Sequence, residues 1–407
     1  MTNKIKEWRK ATLGEIVTFA SGGTPSRKAP HFWNGDIPWL SAKDLKKFRL
    51  NDSIEKVTPE GVNNGTRMIE TGSVLILVRG MTLLKDIPVG VTERPVAFNQ
   101  DLKALVPNRQ VDGHYLGFYL AANKFRLLAL VDRTTHGAGR LSSGLLKSFE
   151  IELPGIEEQR KIVDILLTWD RAVERAEMRL AAESRLKRGL LEQLIRGRKR
   201  LDDFDGQDWE SVRLGDVTVE SKLRNCGSLT EKDVYAGGRA ARAEELIPMR
   251  KSIRSESVAR CKTLRKNWFA YDPMRLGAGS IAKWSGPNDA LAAPDYIVFK
   301  CDESRLDPEF LNHFRKSHQW IRFVEDAGTG SVRLRTRFSD LASLKLMLPP
   351  LEEQRRIAEI LNACDRELDL LGQQLAALKR QKHGLMQKLL TGQIRVKVGE
   401  PWKRGHV

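Results

Sequence analysis

The sequence predicts an α+β fold: two mixed α/β domains joined by two long antiparallel helices that form a coiled coil, with a pseudo-twofold internal repeat. Three observations carry this. First, Leu153-Pro154-Gly155-Ile156-Glu157-Glu158-Gln159-Arg160-Lys161-Ile162 returns as Leu348-Pro349-Pro350-Leu351-Glu352-Glu353-Gln354-Arg355-Arg356-Ile357. The match continues without a gap: Asp170-Arg171 falls on Asp365-Arg366, Leu180-Ala181-Ala182 on Leu375-Ala376-Ala377, and Gly197 on Gly392. Second, each copy carries an apolar seam with a helical heptad period. Third, two globular segments open alike. Trp8 followed by Leu13-Gly14-Glu15-Ile16-Val17 matches Trp209 followed by Leu214-Gly215-Asp216-Val217-Thr218. A repeat of about two hundred residues is too long for a solenoid and reads as a duplicated domain-plus-helix unit.

The second helix has the cleaner seam: Ile357, Leu361, Cys364, Leu368, Leu371, Leu375, Leu378, Leu385 and Leu389, interrupted by Lys382. The first keeps the register with Ile162, Leu166, Trp169, Val173, Ala176, Leu180, Leu190 and Leu194, interrupted by Glu183 and Lys187. Pro154 and Pro349 precede the helices. The Glu pairs occupy the first turns, where the helix dipole favours anions. Gly197 and Gly392 suit the C-terminal ends. About forty residues at 1.5 Å each give a rod of roughly 60 Å. Candidates for helix packing or partner contact are Glu158, Gln159, Ile162, Leu166 and Trp169, with Glu353, Gln354, Ile357, Leu361 and Leu368. Gly189 and Gly384 stand at equivalent mid-helix positions, each costing about 1 kcal/mol relative to Ala. A kink or a close helix crossing is expected there.

The boundaries follow. Residues 1–150 form the first domain and 151–200 the first helix. Residues 201–347 hold a linker and the second domain, 348–398 the second helix, and 399–407 a tail. In the first domain, short apolar runs alternate with turn signals such as Ser21-Gly22-Gly23-Thr24-Pro25 and Trp33-Asn34-Gly35-Asp36. Residues 73–79 and 149–153 read as strands and 115–131 as a helix. Arg140-Leu141, before the first helix, resembles Arg333-Leu334 before the second. Gly399-Glu400-Pro401-Trp402 echoes Gly206-Gln207-Asp208-Trp209.

The 407 residues carry a net charge of +17 spread along the chain, which points to a polyanion and first to nucleic acid. An apolar run such as Val74-Leu75-Ile76-Leu77-Val78, which no other run exceeds, is far short of a membrane span, and no apolar signal region follows Met1. A soluble, cytoplasmic protein with no membrane partner is expected. The four cysteines, Cys226, Cys261, Cys301 and Cys364, are widely spaced, so neither a zinc site nor a disulfide framework is expected.

Catalytic motifs are missing. The only Pro-Pro, Pro349-Pro350, lies between leucines rather than in the Asn/Asp-Pro-Pro-aromatic loop of an amino-methyltransferase. There is no phosphate-binding G-x-x-x-x-G-K-[ST] loop. Gly137-x-Gly139 lacks the rest of a dinucleotide fingerprint. Pro294-Asp295 with Lys300 lacks the acid-x-Lys of a common nuclease site. His313 and His318 point to different helix faces, which argues against a metal site.

At this point the chain resembles the specificity subunit of a type I restriction-modification system. The resemblance rests on the duplicated Leu-Pro-x-x-Glu-Glu-Gln-Arg-x-Ile helix starts. It also rests on Gly22-Gly23-Thr24-Pro25-Ser26 leading to Phe32-Trp33-Asn34-Gly35-Asp36-Ile37-Pro38-Trp39-Leu40. Trp268-Phe269-Ala270-Tyr271 with Gly279-Ser280-Ile281 fits as well. The departures are Gly155 in place of the second Pro, and Glu183 and Lys187 in the first seam.

The resemblance implies two target-recognition domains, each reading half of a bipartite double-stranded DNA site. It implies central helices that fix the spacing and dock two modification subunits. S-adenosylmethionine would bind the modification subunit, and ATP and Mg the restriction subunit of the full complex. This chain would be non-catalytic and hold no cofactor or metal.

Lys and Arg would then neutralise phosphates, while Arg, Lys, Asn and Gln on loops read base edges. Candidate DNA contacts are Arg27, Lys28, Lys43, Arg67 and Arg140 in the first domain. In the second they are Arg239, Arg242, Arg275, Lys283, Arg333 and Arg335. Arg198, Lys199 and Arg200 are candidates between half-sites. Two other classes remain open: a stand-alone DNA methyltransferase or nuclease with unfamiliar motifs, and a basic coiled-coil scaffold without sequence preference.

Overall fold

A computed structural model describes residues 8–227, 229–237, 246–249, 258–326 and 335–397. The echo at Gly399 to Trp402 lies outside them. The chain divides into two compact units: Met1–Ala176 with Gln374–Val407, and Glu177–Gln373.

In the first unit, the apolar run seen in the sequence becomes strand Val74–Leu77, with every residue buried. A strand covered on both faces needs no alternation of apolar and polar residues. It is central in a five-stranded sheet ordered Val17–Ser21, Leu102–Pro107, Val74–Leu77, Val89–Thr92, Arg49–Leu50. Helix Gly113–Ala122 packs on this sheet, its N-terminus capped by Asp112 Oδ1 accepting from the backbone of His114 and Tyr115. The helix expected over 115–131 breaks at Asn123. A second short helix, Lys124–Leu128, follows, and Val131–Arg133 is a strand.

A four-stranded mixed sheet holds Trp33–Leu40, paired parallel with Val96–Phe98 through Trp39 and Ala97. The Gly22-Gly23-Thr24-Pro25 segment crosses backbone on backbone here. A Cβ on Gly22 would stand 2.1 Å from Phe98 O, and one on Gly23 2.2 Å from Gly65 O. Only glycine fits such a crossing.

The domain in each unit opens and closes at one place. Strand Arg9–Thr12 pairs antiparallel with Glu150–Leu153, and Glu210–Arg213 pairs in the same way with Lys345–Leu348. The second unit repeats four strands of the first unit's main sheet in the same order: Thr218–Ser221, Ile297–Cys301, Phe269–Tyr271, Ile281–Lys283.

The long helices are Ile156–Ile195 and Leu351–Leu390, 40 residues each. In the first unit, Ile162 and Leu166 share a core with Leu389 and Leu390. In the second, Leu191, Leu194 and Ile195 share a core with Ile357 and Leu361. Rising numbers on one helix meet falling numbers on the other, so the pairing is antiparallel in both units.

The lysines that interrupt the seams have partners. Lys382 pairs with Asp170 in the first unit and Lys187 with Asp365 in the second, at equivalent positions of the two copies. For Gly189 and Gly384, one of the two expectations, a close crossing, is not met. A Cβ at either would meet nothing within 4 Å, so no close crossing among the described residues requires them.

Candidate nucleic-acid interface

The helix-start motif works inside the molecule. Gln159 is fully buried and every polar atom of its amide is used. Its Oε1 accepts from the Asp112 backbone N–H at 2.8 Å, and its Nε2 donates to Gln110 O at 3.0 Å and Pro154 O at 2.8 Å. Gln354 repeats this. Its Oε1 accepts from Asp307 N at 2.8 Å, and its Nε2 donates to Arg305 O and Pro349 O at 2.8 and 2.9 Å. Asp112 and Asp307 are the N-caps of the helices Gly113–Ala122 and Pro308–Phe314, so one glutamine welds each long helix to a helix of its domain.

The preceding glutamate forms a clasp. Glu353 accepts from Arg200 Nε and a terminal guanidinium N–H at 2.9 and 3.0 Å, and from Trp209 Nε1 at 3.0 Å. Glu158 accepts from Arg395 at 2.8 and 2.9 Å and from Trp8 Nε1 at 3.3 Å. A bidentate Arg–carboxylate pair of this kind is strong and directional. Burial alone would raise the Glu158 carboxyl. Arg395, the Val396 N–H and Trp8 more than offset it and hold the group below the usual carboxylate range.

Arg200, read from sequence as a phosphate contact between half-sites, is therefore engaged in the clasp. Glu158, Gln159, Glu353 and Gln354 face inward, with Ile162, Leu166, Ile357 and Leu361; Trp169 and Leu368 are half-buried.

The basic candidates separate by what they touch. Arg27 is exposed, with its guanidinium paired to Glu55 and stacked 3.7 Å over the Trp33 ring. Lys28, Lys43 and Arg67 are exposed on the first unit. Arg140 is exposed on strand Gly139–Leu141. In the second unit Arg335 is exposed, and Arg275 is exposed with Asp272 at 3.8 Å. Arg239, Arg242 and Arg333 lie outside the described residues.

Lys283 runs against expectation. It is 8% exposed, and its ammonium pairs with the partly exposed carboxylate of Glu309. Its charge stands beside loop-rich sequence and its partner lies on another element, so no local pattern signals its burial.

The repeat also sets a register that local similarity missed. Leu141 N donates to Val78 O and Thr336 N donates to Pro273 O, both at 2.9 Å. Each stands immediately before the N-cap of a short helix, Ser143–Lys147 or Phe338–Ala342. The counterpart of Arg140 is therefore Arg335 rather than Arg333. Among the described residues no cluster of three metal-ligating side chains occurs, and no helix is long and apolar enough to cross a membrane.

Known proteins agree with this architecture. The family described as type I restriction modification DNA specificity domain matches residues 5–182 and 284–380. The specificity subunit of the Escherichia coli type I restriction enzyme EcoR124I/EcoR124II is 36% identical over 166 residues, which is 40% of this chain and 41% of that subunit. The MjaIX specificity subunit of Methanocaldococcus jannaschii is 23% identical across 96% of this chain and 94% of its own.

Among solved structures, the S subunit of a type I restriction-modification system from M. genitalium superposes with a TM-score of 0.59 at 13% identity, covering 96% of this chain and 98% of that one. A chain from a structure on complex assembly and conformational transition of the type I R-M system gives 0.54 at 17% identity, covering 95% and 98%. These two likenesses concern the fold. The family match spans both units and most of the sequence: this chain belongs to the type I restriction-modification DNA specificity family and is a DNA sequence-recognition subunit.

Proposed function

We propose that the chain reads a bipartite, asymmetric DNA target, one half-site per domain, and docks two modification subunits on its central helices. The two domain-plus-helix copies would be related by a pseudo-twofold axis. The observation that carries this is the repeated weld: Gln159 and Gln354 tie each domain to its own long helix through the same three hydrogen bonds. A domain fixed to a helix in that way is positioned by it. The domain frames repeat while their interiors differ, which favours two dissimilar half-sites.

On this reading the chain is non-catalytic. S-adenosylmethionine is held by the modification subunits, and ATP and Mg by restriction subunits in the full, cytoplasmic complex. The test is to purify the chain with its modification subunit and map methylated sites across a genome. The expected result is one motif with two unlike halves and an unread spacer of fixed length. A single contiguous motif, or methyl transfer by the chain freed of its partner, would overturn the proposal.

A further inference from the structure

Strands Val131–Arg133, Gly139–Leu141 and Arg79–Gly80 form a three-stranded antiparallel sheet in the first unit, with Gly139–Leu141 in the middle. The register sets Arg140 directly opposite Arg79 on one side and Asp132 on the other. Residues directly opposite in such a pair project from one face with Cβ atoms about 5 Å apart, and like charges placed there destabilise the sheet. Both arginines are exposed, and neither forms an ion pair among the described residues, with Asp132 or any other carboxylate. Arg27 and Arg49 of the same unit, by contrast, are paired with Glu55 and Glu93.

The backbone holds the two charges together. Gly80, next to Arg79, sits at φ +135°, which favours glycine, and a Cβ on Gly139, next to Arg140, would stand 2.6 Å from the Leu83 Cβ, so one flanking residue is set by its backbone conformation and the other by close approach. The hairpin turn is closed by Thr134 N donating to Ala138 O at 2.8 Å, with Gly137 at φ +78°. Two guanidinium groups on a pre-set sheet, neither within ion-pair distance of a carboxylate among the described residues although Asp132 flanks Arg140, are complementary to an anion bridging them. In the second unit exposed Arg335 occupies the Arg140 position, but Met274 stands at the Arg79 position, so the arginine pair belongs to the first unit alone.

We infer that Arg79 and Arg140 form a two-guanidinium clamp on a backbone phosphate of the bound DNA. The inference rests on the DNA-recognition reading and adds Arg79 and a role to it. Phosphate contacts set register and affinity without sequence information.

The test uses the full chain with its modification subunit. Binding to a duplex carrying the mapped target, and to an unrelated duplex of equal length, is measured across a salt series. The Arg79→Gln/Arg140→Gln variant should weaken both duplexes by about tenfold or more and leave their ratio unchanged. The slope of log K against log salt should fall by roughly 0.9, the contribution of the one phosphate no longer neutralised. Arg79→Lys/Arg140→Lys should restore most of the slope. Arg94→Gln/Arg109→Gln, removing equal charge from other exposed positions of the unit, should change it by less than half as much. A clamp variant whose slope matches that of the charge control, or whose duplex ratio shifts with the slope intact, overturns the clamp while DNA recognition stands. If the unaltered complex binds neither duplex, the recognition reading falls and takes the clamp with it.

Discussion

His313 is fully buried on the helix Pro308–Phe314, with Nε2 2.9 Å from Asn362 Oδ1 and Nδ1 without a hydrogen-bond partner among the described residues. An amide oxygen only accepts, so Nε2 carries a proton. Burial pushes its pKa down to about 4. Lys316 and Lys187 push the same way, against the Asn362 hydrogen bond and Asp365. In the unfolded chain the ring titrates near 6.5, so below that the unfolded state binds more protons than the folded one. The ring's contribution is intact above about pH 6.5 and drains away as the pH falls towards 4. Denaturant titrations at pH 7 and pH 5 should show about 2 kcal/mol of loss from this residue alone. His313→Gln should be less pH-sensitive by that amount; equal pH slopes in the variant and the parent would refute the assignment. Residue-scale roles of this kind were not legible in the sequence. Charge and residue type were visible for His313, Lys283, Arg27 and Arg200, but each owes its role to a partner on another element, Asn362, Glu309, Glu55 and Glu353, which no local pattern reveals.

The long helices were the most legible elements, because heptad seams, first-turn acids and terminal glycines are local signals. Gly197 and Gly392 do take positive φ, at 63° and 71°. What the sequence showed only as defects, Lys187 and Lys382, are ion pairs spanning the two helices. Polar residues in an apolar seam fix register and orientation at some cost in stability. Asp170 and Lys382 are 15% and 22% exposed, so neither is fully solvated. Lys382→Met should strand Asp170 and cost about 2 kcal/mol, less than the 3–5 kcal/mol of a fully buried pair. Replacing both, Asp170→Leu with Lys382→Met, should recover most of that loss, since an apolar pair carries no desolvation penalty. Urea unfolding of the three proteins decides; a double variant as weak as the single one would mean that the pair itself supplies the stability. The β elements were legible only in part. Val74–Leu77 announced itself as an apolar run, whereas the parallel pairing of Trp39 with Ala97 joins residues far apart in sequence.

For the whole molecule, the proposed bipartite target makes helix length a ruler. Each helix is continuous over 40 residues, and the crossed pairs Asp170–Lys382 and Lys187–Asp365 mark its register against the other. Because the pairing is antiparallel, lengthening one helix alone would leave seven residues unmatched, so both must grow together. A heptad inserted after Ala182 and another after Ala377 falls between the marker pairs on both helices and keeps the seam in phase. Seven residues at 1.5 Å add about 10 Å, and a base pair spans about 3.4 Å. The methylated motif of the lengthened protein, assembled with its modification subunit, should keep both half-sites and gain about three base pairs of spacer. Inserting one heptad in the first helix only should cost stability and give no such clean increment. A lengthened, active protein that methylates the original spacing would show that these helices do not set the distance between the readers. A motif whose half-sites changed along with the spacer would show that base reading is not confined to the domains at their ends.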